Sequence, residues 1–153
     1  SLALDAFSDT SVTIIGVGHS IGATTLLAMS GAQMWLGPNQ PLAIPFDNRL
    51  TKLALLAPPT GFFQAPGALD LLAIPVEVWV GSEDSITPPA QSQYLATAAP
   101  EHHPITVHIE KGAGHFSFMD NGPPHMTEPL RDKPAFLNAY SNHVCDFLNQ
   151  QDR

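Results

Sequence analysis

The chain is poor in cysteine, in basic residues and in long apolar runs, and each shortage excludes something. One cysteine, Cys145, stands among 153 residues, so no internal disulfide can form. It falls in a late helical pattern and is expected to be a small buried apolar residue, not a nucleophile. Six basic residues face 14 acidic ones, for a net charge of −8. No basic stripe is available to release counterions from a phosphate backbone, which argues against nucleic acid as a partner. The same balance argues against an anionic membrane surface. No apolar run approaches the roughly 20 residues that span a bilayer. No signal-peptide pattern is visible, and a cytoplasmic setting is favoured. No H-E-x-x-H, no paired cysteines and no phosphate-cradling glycine pattern occur, so neither a metal nor a nucleotide is the expected ligand, and no cofactor is expected.

What the chain does have is 44% hydrophobic residues and length enough for one domain with a sizeable core. Its most informative stretch runs from Val12 to Ala23. Val12 to Ile15 is β-branched and reads as a strand covered on both faces. Thr24 to Met29 continues as a mostly apolar helical run, expected to reach about Gln33 or Trp35. Between them lies Gly18-His19-Ser20-Ile21-Gly22, a G-x-S-x-G pattern between a strand and a helix. In that setting the serine sits on a sharp, strained turn with its Oγ above the sheet edge. Gly18 and Gly22 are expected to be small because neighbouring backbone passes close to them. The Ile21 N–H, at a helix N-terminus, points where an oxyanion would form. The plain alternative is a glycine-rich turn with a serine N-cap.

The remaining chain alternates strands with helices. Ser1 to Phe7 reads as the end of a helix. Leu36 to Asn48, with three prolines, can be neither a long helix nor a central strand. Leu50 to Leu56 is a buried strand, and a short helical piece is expected around Ala68 to Leu72. Ile74 to Gly81 is the third strand, followed by a loop and a proline-started helix to Ala98. Ile105 to Ile109 is the fourth strand. A Pro-rich loop, Asn121 to Lys133, leads to an amphipathic closing helix over Pro134 to Gln150. Such alternation predicts a parallel sheet with right-handed crossovers. Ligands bind such sheets at the carboxyl ends of the strands.

Ser20, Asp84 and His115 each fall just beyond the carboxyl end of a different expected strand. A serine hydroxyl needs a base to take its proton, and the base needs an acid to fix its tautomer. Ser20 as nucleophile, Asp84 as orienting acid and His115 as base supply those roles. Asp84 competes with a simple turn aspartate, and Glu83 is the alternative acid. Six other histidines compete with His115. His102 and His103 lie in an exposed turn, His108 within a strand, His125 in the Pro-rich loop and His143 on the last helix. His19, in the elbow, is expected to pack beside the site. Only His115 lies in a Gly-flanked loop directly after a strand. Phe116 and Phe118 read as core or pocket wall. Phe62, Phe63 and Met119 are candidates for an acyl pocket, and core packing accounts for them equally well.

At these three loops the chain resembles the α/β-hydrolase family, whose chain order is also nucleophile, acid, histidine. Gly18 to Gly22 is similar to its nucleophile elbow, Gly81 to Pro88 to its acid loop, and Gly112 to Phe116 to its histidine loop. The run His115 to Asp120, with the Pro-rich segment and last helix, is most similar to dienelactone-hydrolase-like and platelet-activating-factor-acetylhydrolase-like esterases. True dienelactone hydrolases carry a cysteine at the elbow, where this chain has Ser20. The resemblance implies a single domain over 1–153, with a mostly parallel sheet of about four strands and flanking helices. That would be the C-terminal part of the family's eight-stranded fold, whose elbow follows the fifth strand.

The strands that would precede the elbow, and the loop that supplies a second oxyanion N–H, have no counterpart here. The elbow strand is therefore expected at a sheet edge, open to pairing with a second copy of the chain or with the missing N-terminal half. The first functional expectation is a serine hydrolase that cleaves small-molecule carboxylic esters through an acyl-enzyme. The alternative is a weak or inactive hydrolase fragment that serves as an interaction or assembly partner. The same triad also serves thioesterases, acyltransferases, lactonases and peptidases.

Overall fold

The computed structural model describes residues 12–150, so the helix expected over Ser1 to Phe7 lies outside the described residues. The elements are β1 (Ile14–His19), α1 (Ile21–Met29), β2 (Met34–Trp35), β3 (Pro41–Leu42), β4 (Leu50–Leu56), β5 (Val76–Gly81), α2 (Pro89–Ala98), β6 (Ile105–Glu110) and α3 (Lys133–Asn149). A 3-10 turn covers Gly61–Phe63. Four strands form one sheet in the order β1-β4-β5-β6, and every neighbouring pair is parallel. β2 and β3 make a separate two-residue antiparallel ribbon, all the regular structure that the prolines of the 36–48 connection permit.

The central strands carry apolar side chains on both faces because both faces are covered. On one face Leu53 and Leu55 of β4, with Val76 and Val78 of β5, pack with Ala23 and Leu27 of α1 and Leu95 of α2. On the other, Ala54, Leu56 and Trp79 pack with Val144 and Phe147 of α3. Lys52 fixes the end of α3, its Nζ donating to Gln150 O at 2.6 Å, where the helix dipole favours a cation. Asp132 caps the other end, accepting from Ala135 N at 3.0 Å.

β1 departs from the expected doubly covered strand. Its Gly16 faces α1 closely, where a Cβ would lie 3.2 Å from the Leu26 side chain. On the opposite face Ile15 and Val17 stay 47% and 51% exposed. Through their register with Lys52 and Ala54 they share α3's side of the sheet, but α3 packs over β4 and β5 and does not reach them. Among the described residues β1 is an edge.

Three further expectations are corrected. α1 ends at Met29 rather than near Trp35, because Gly31 adopts φ +117 and its backbone passes the Leu71 carbonyl too closely for a Cβ. Ala68 to Leu72 is not helical. Its bonds run Ala68 N to Ala65 O, Asp70 N to Gly67 O and Leu72 N to Leu69 O, a series of four-residue turns without the i to i−4 bonds of an α-helix. Cys145 is exposed, because Val144 and Phe147 take the two sheet-facing positions and turn it to solvent.

Candidate active site

Ser20 occupies the single residue between β1 and α1. Its φ of 53 and ψ of −125 lie in a region that residues with a Cβ rarely adopt. The turn is held where its N–H donates to Leu56 O at 2.8 Å, which ties the elbow to β4. Gly18 is required on steric grounds, since a Cβ there would stand 2.8 Å from Ala23 N. Gly22 is not: a Cβ would meet nothing within 4 Å. The close approach expected at both glycines exists only at the one before the serine, where strand and helix are folded against each other. As the first residue of α1, Ile21 has an N–H with no partner inside the helix.

The acid and histidine loops are joined along their length. Ser82 N donates to Glu110 O at 2.9 Å, Glu83 N to Ala113 O at 2.9 Å, and Gly112 N to Ser82 Oγ at 2.9 Å. Gly81 permits this: a Cβ there would stand 3.0 Å from Gly114 N and would overlap the Ala113 carbonyl. The result places Asp84, and not Glu83, against His115. The Glu83 side chain accepts instead from the neighbouring Ser82 hydroxyl, at 3.3 Å.

Asp84 is 3% exposed and fully hydrogen-bonded. Its Oδ1 accepts from Ile86 N at 2.9 Å and Thr87 N at 2.7 Å. Its Oδ2 accepts from Thr87 Oγ1 at 2.8 Å and faces His115 Nδ1 at 2.9 Å. Burial alone would raise the carboxyl's pKa. The bonds from His115 and from the Thr87 backbone and hydroxyl outweigh it and hold the group below its ordinary value. On the far side of the ring, His115 Nε2 lies 2.9 Å from Ser20 Oγ. A carboxylate only accepts, so Nδ1 carries the proton and Nε2 is left to accept from the serine.

His19 packs beside this line, its ring centroid 4.9 Å from that of His115. Its Nε2 donates to the His115 carbonyl at 2.8 Å, which pins the histidine loop to the elbow. Burial keeps its pKa below the ordinary value, so no second cation opposes a positive charge on His115. His108 instead pairs with Glu77 at 2.7 Å and stacks on Trp79. His102 and His103 pack on each other, and His125 and His143 are exposed.

Four residues of this assembly escaped the sequence. Ser117 Oγ accepts from Gly114 N at 2.8 Å and donates to Glu128 Oε1 at 2.6 Å. Lys133 Nζ bridges Glu128 at 2.8 Å and Phe116 O at 3.1 Å. The Pro-rich segment is thereby strapped to the histidine loop. The bonds from Lys133, Ser117 and the Leu130 backbone overcome burial to lower the Glu128 pKa. Thr87, the fourth, was signalled only by its place three residues after Asp84 in a turn. A cavity of about 340 Å3 opens beside His115 between the acid loop and this strap, walled by Ile86, Phe116, Pro123 and Met126. Phe63 is buried in the core cluster on the α1 side of the sheet with Phe62 half-buried against it, and Phe118 packs with Val144 and Phe147 of α3, so core packing accounts for them. Met119 is 38% exposed and does not line that cavity. Among the described residues no group of three or more His, Cys, Asp or Glu is placed to hold a metal ion, and no helix is long and apolar enough to cross a membrane.

No protein-family model and no curated protein matches the chain. Solved structures do. A predicted CIB-like hydrolase from Thermoplasma acidophilum superposes with a TM-score of 0.61 at 14% identity, covering 94% of this chain and 55% of that one. A serine hydrolase involved in carbazole degradation gives 0.60 at 12%, covering 94% and 67%. An esterase domain from Rhodothermus marinus gives 0.56 at 16%, covering 94% and 63%. The fold is that of the α/β hydrolases. The chain spans little more than half the length of the first of these structures.

Proposed function

We propose that this chain, with its α/β-hydrolase fold, is a serine hydrolase of carboxylic esters. One observation carries the reading: Ser20 Oγ, the two nitrogens of His115 and Asp84 Oδ2 stand in line with two 2.9 Å contacts. Ser20 Oγ attacks the ester carbonyl while His115 Nε2 takes its proton. Asp84 holds the ring and offsets the charge that forms on it. The Ile21 N–H donates to the oxyanion at the N-terminus of α1. His115 then returns the proton to the departing alcohol, leaving an acyl group on Ser20. Water, its proton drawn off by His115, releases the acid and restores the serine. No step calls for a cofactor. Esterases among the similar solved structures support this reaction class. The net charge of −8 favours neutral or cationic esters by steering alone.

The test is hydrolysis of short-chain p-nitrophenyl esters by the chain beside its Ser20→Ala variant. Turnover that vanishes with Ser20 supports the reading; turnover that survives the substitution refutes it.

A second reading has its own support: a weak or inactive hydrolase unit that works by association. The exposed Ile15 and Val17 flank the open edge of β1, and Ile21 N–H is the only oxyanion donor assigned. Loss of one such donor costs about 10² to 10³ in kcat. The edge would take a strand from a second copy, or from a separate N-terminal half. A mass in solution equal to one chain, without any partner, counts against the self-paired form.

A further inference from the structure

Thr87 has no part in the proton relay described so far, yet its hydroxyl touches both inner members of it. Oγ1 lies 2.8 Å from Asp84 Oδ2, 2.9 Å from His115 Nδ1 and 3.2 Å from Ala57 O. The residue is 2% exposed, so water does not stand in for any of the three. A hydroxyl has one proton and two lone pairs. The carboxylate and the carbonyl can only accept, so the Thr87 proton goes to one of them. Nδ1 must then bring its own proton to a Thr87 lone pair. Were the hydroxyl to donate to Nδ1 instead, that nitrogen would turn its lone pair towards the carboxylate oxygen 2.9 Å away. With the proton on Nδ1, the ring N–H is shared between Asp84 Oδ2 and Thr87 Oγ1, the Thr87 proton goes to one of its two oxygen acceptors, and Nε2 is left free to accept from Ser20.

We infer that Thr87 is a positioning residue of the catalytic machinery, one that selects the working tautomer of His115 and steadies its charged form. The inference rests on the triad reading given above. Asp84 is a carboxylate both before and after the serine proton moves, so its bond to Thr87 changes little. The Oγ1 lone pair facing Nδ1–H gains strength when the ring becomes a cation, since charge-assisted bonds are the stronger kind. Thr87 thus favours the transfer itself. The Thr87 backbone N–H, 2.7 Å from Asp84 Oδ1, survives any substitution of the side chain. Removing the hydroxyl therefore leaves Asp84 anchored and isolates the Oγ1 contribution.

The experiment is the rate of Ser20 modification by a fluorophosphonate, resolved into kinact and KI. It needs activation of the serine but no release of an acyl group. Thr87→Val keeps the side-chain shape and is expected to lower kinact about tenfold with KI unchanged, the worth of one hydrogen bond felt in the transition state. Thr87→Ser restores the hydroxyl and is expected to recover most of the loss. In an Asp84→Asn background, where the tautomer is already lost, Thr87→Val should change kinact hardly at all, because the residues act as a unit. Thermal melts of every variant separate these effects from unfolding. A wild-type kinact for Thr87→Val overturns the inference and leaves the triad standing. So does an equal tenfold loss in the Asp84→Asn background, which would mark a purely structural role. Failure of the unsubstituted chain to be modified at Ser20 overturns the triad reading itself.

Discussion

The two sides of the site are built differently. Asp84 and His115 are themselves enclosed, 3% and 6% exposed. Two loops are bonded rung by rung, every polar atom of the acid has a partner, and a strap closes over the outside. Around Ser20 the construction is open. Among the described residues β1 is an edge strand, with Ile15 and Val17 half in solvent, and Ile21 is 59% exposed. The base half is specified by the chain's own contacts. The nucleophile half has its turn fixed but its outer surface uncovered, which is where a substrate or a pairing strand can approach. Under the proposed esterase reading, a tightly held base beside an open nucleophile is the division required: the ring must keep its tautomer and orientation, while the reacting carbonyl has to enter.

Substitutions that strike one side and spare the other test this contrast. The largest effect is expected on the enclosed side. Asp84→Asn keeps the volume but reverses the tautomer preference of His115 and should lower kcat about 10⁴-fold, read from ester turnover or serine modification. Next is the elbow itself. Gly18→Ala would drive a Cβ to 2.8 Å from Ala23 N, and denaturant melts should show a loss of about 2 kcal/mol or more. Gly22→Ala meets open space and should change stability by under about 1 kcal/mol, in the stabilising direction for a helix position.

A smaller effect belongs to the strap. The Glu128 pKa is lowered in the folded chain, so its contribution is present at pH values above its unfolded pKa and is lost as pH falls through the folded one. Melting temperature should therefore drop on acidification below about pH 4.5, and Glu128→Gln should flatten part of that drop. The smallest effect is expected at the edge. Val17→Thr on the open face of β1 should stay within about 0.5 kcal/mol, whereas Val78→Thr, wholly buried in β5, should cost about 2 kcal/mol. Equal costs at Val17 and Val78 would mean that the outer face of β1 is covered in solution.

The same contrast decides what could be read from the sequence. β4 was legible over Leu50 to Leu56 because seven mostly apolar residues stop at Pro58-Pro59. Ser20, Asp84 and His115 stood out because each follows a strand and sits by glycines, both local signals. Gly31 was the harder case, since its positive φ ended a helix whose apolar pattern ran on. Ile15 and Val17 drew two opposed expectations: their β-branched composition read as a doubly covered strand, whereas the strands missing before the elbow put β1 at an edge short of cover, and their exposure agrees with the second. Cys145 was misplaced for a related reason: one step of 100° along α3 separates the sheet from solvent. Thr87 had only its place in the Asp84 turn to mark it, and the bond between Ser117 and Glu128 joins two loops with no local pattern to signal it.

The central claim is that the buried acid and base activate Ser20. Intact mass and peptide mapping after brief exposure to a fluorophosphonate test it most directly. The account predicts a single adduct on Ser20, lost in Ser20→Ala and strongly slowed in His115→Ala. No adduct, or one that persists in the His115→Ala chain at the original rate, would contradict it.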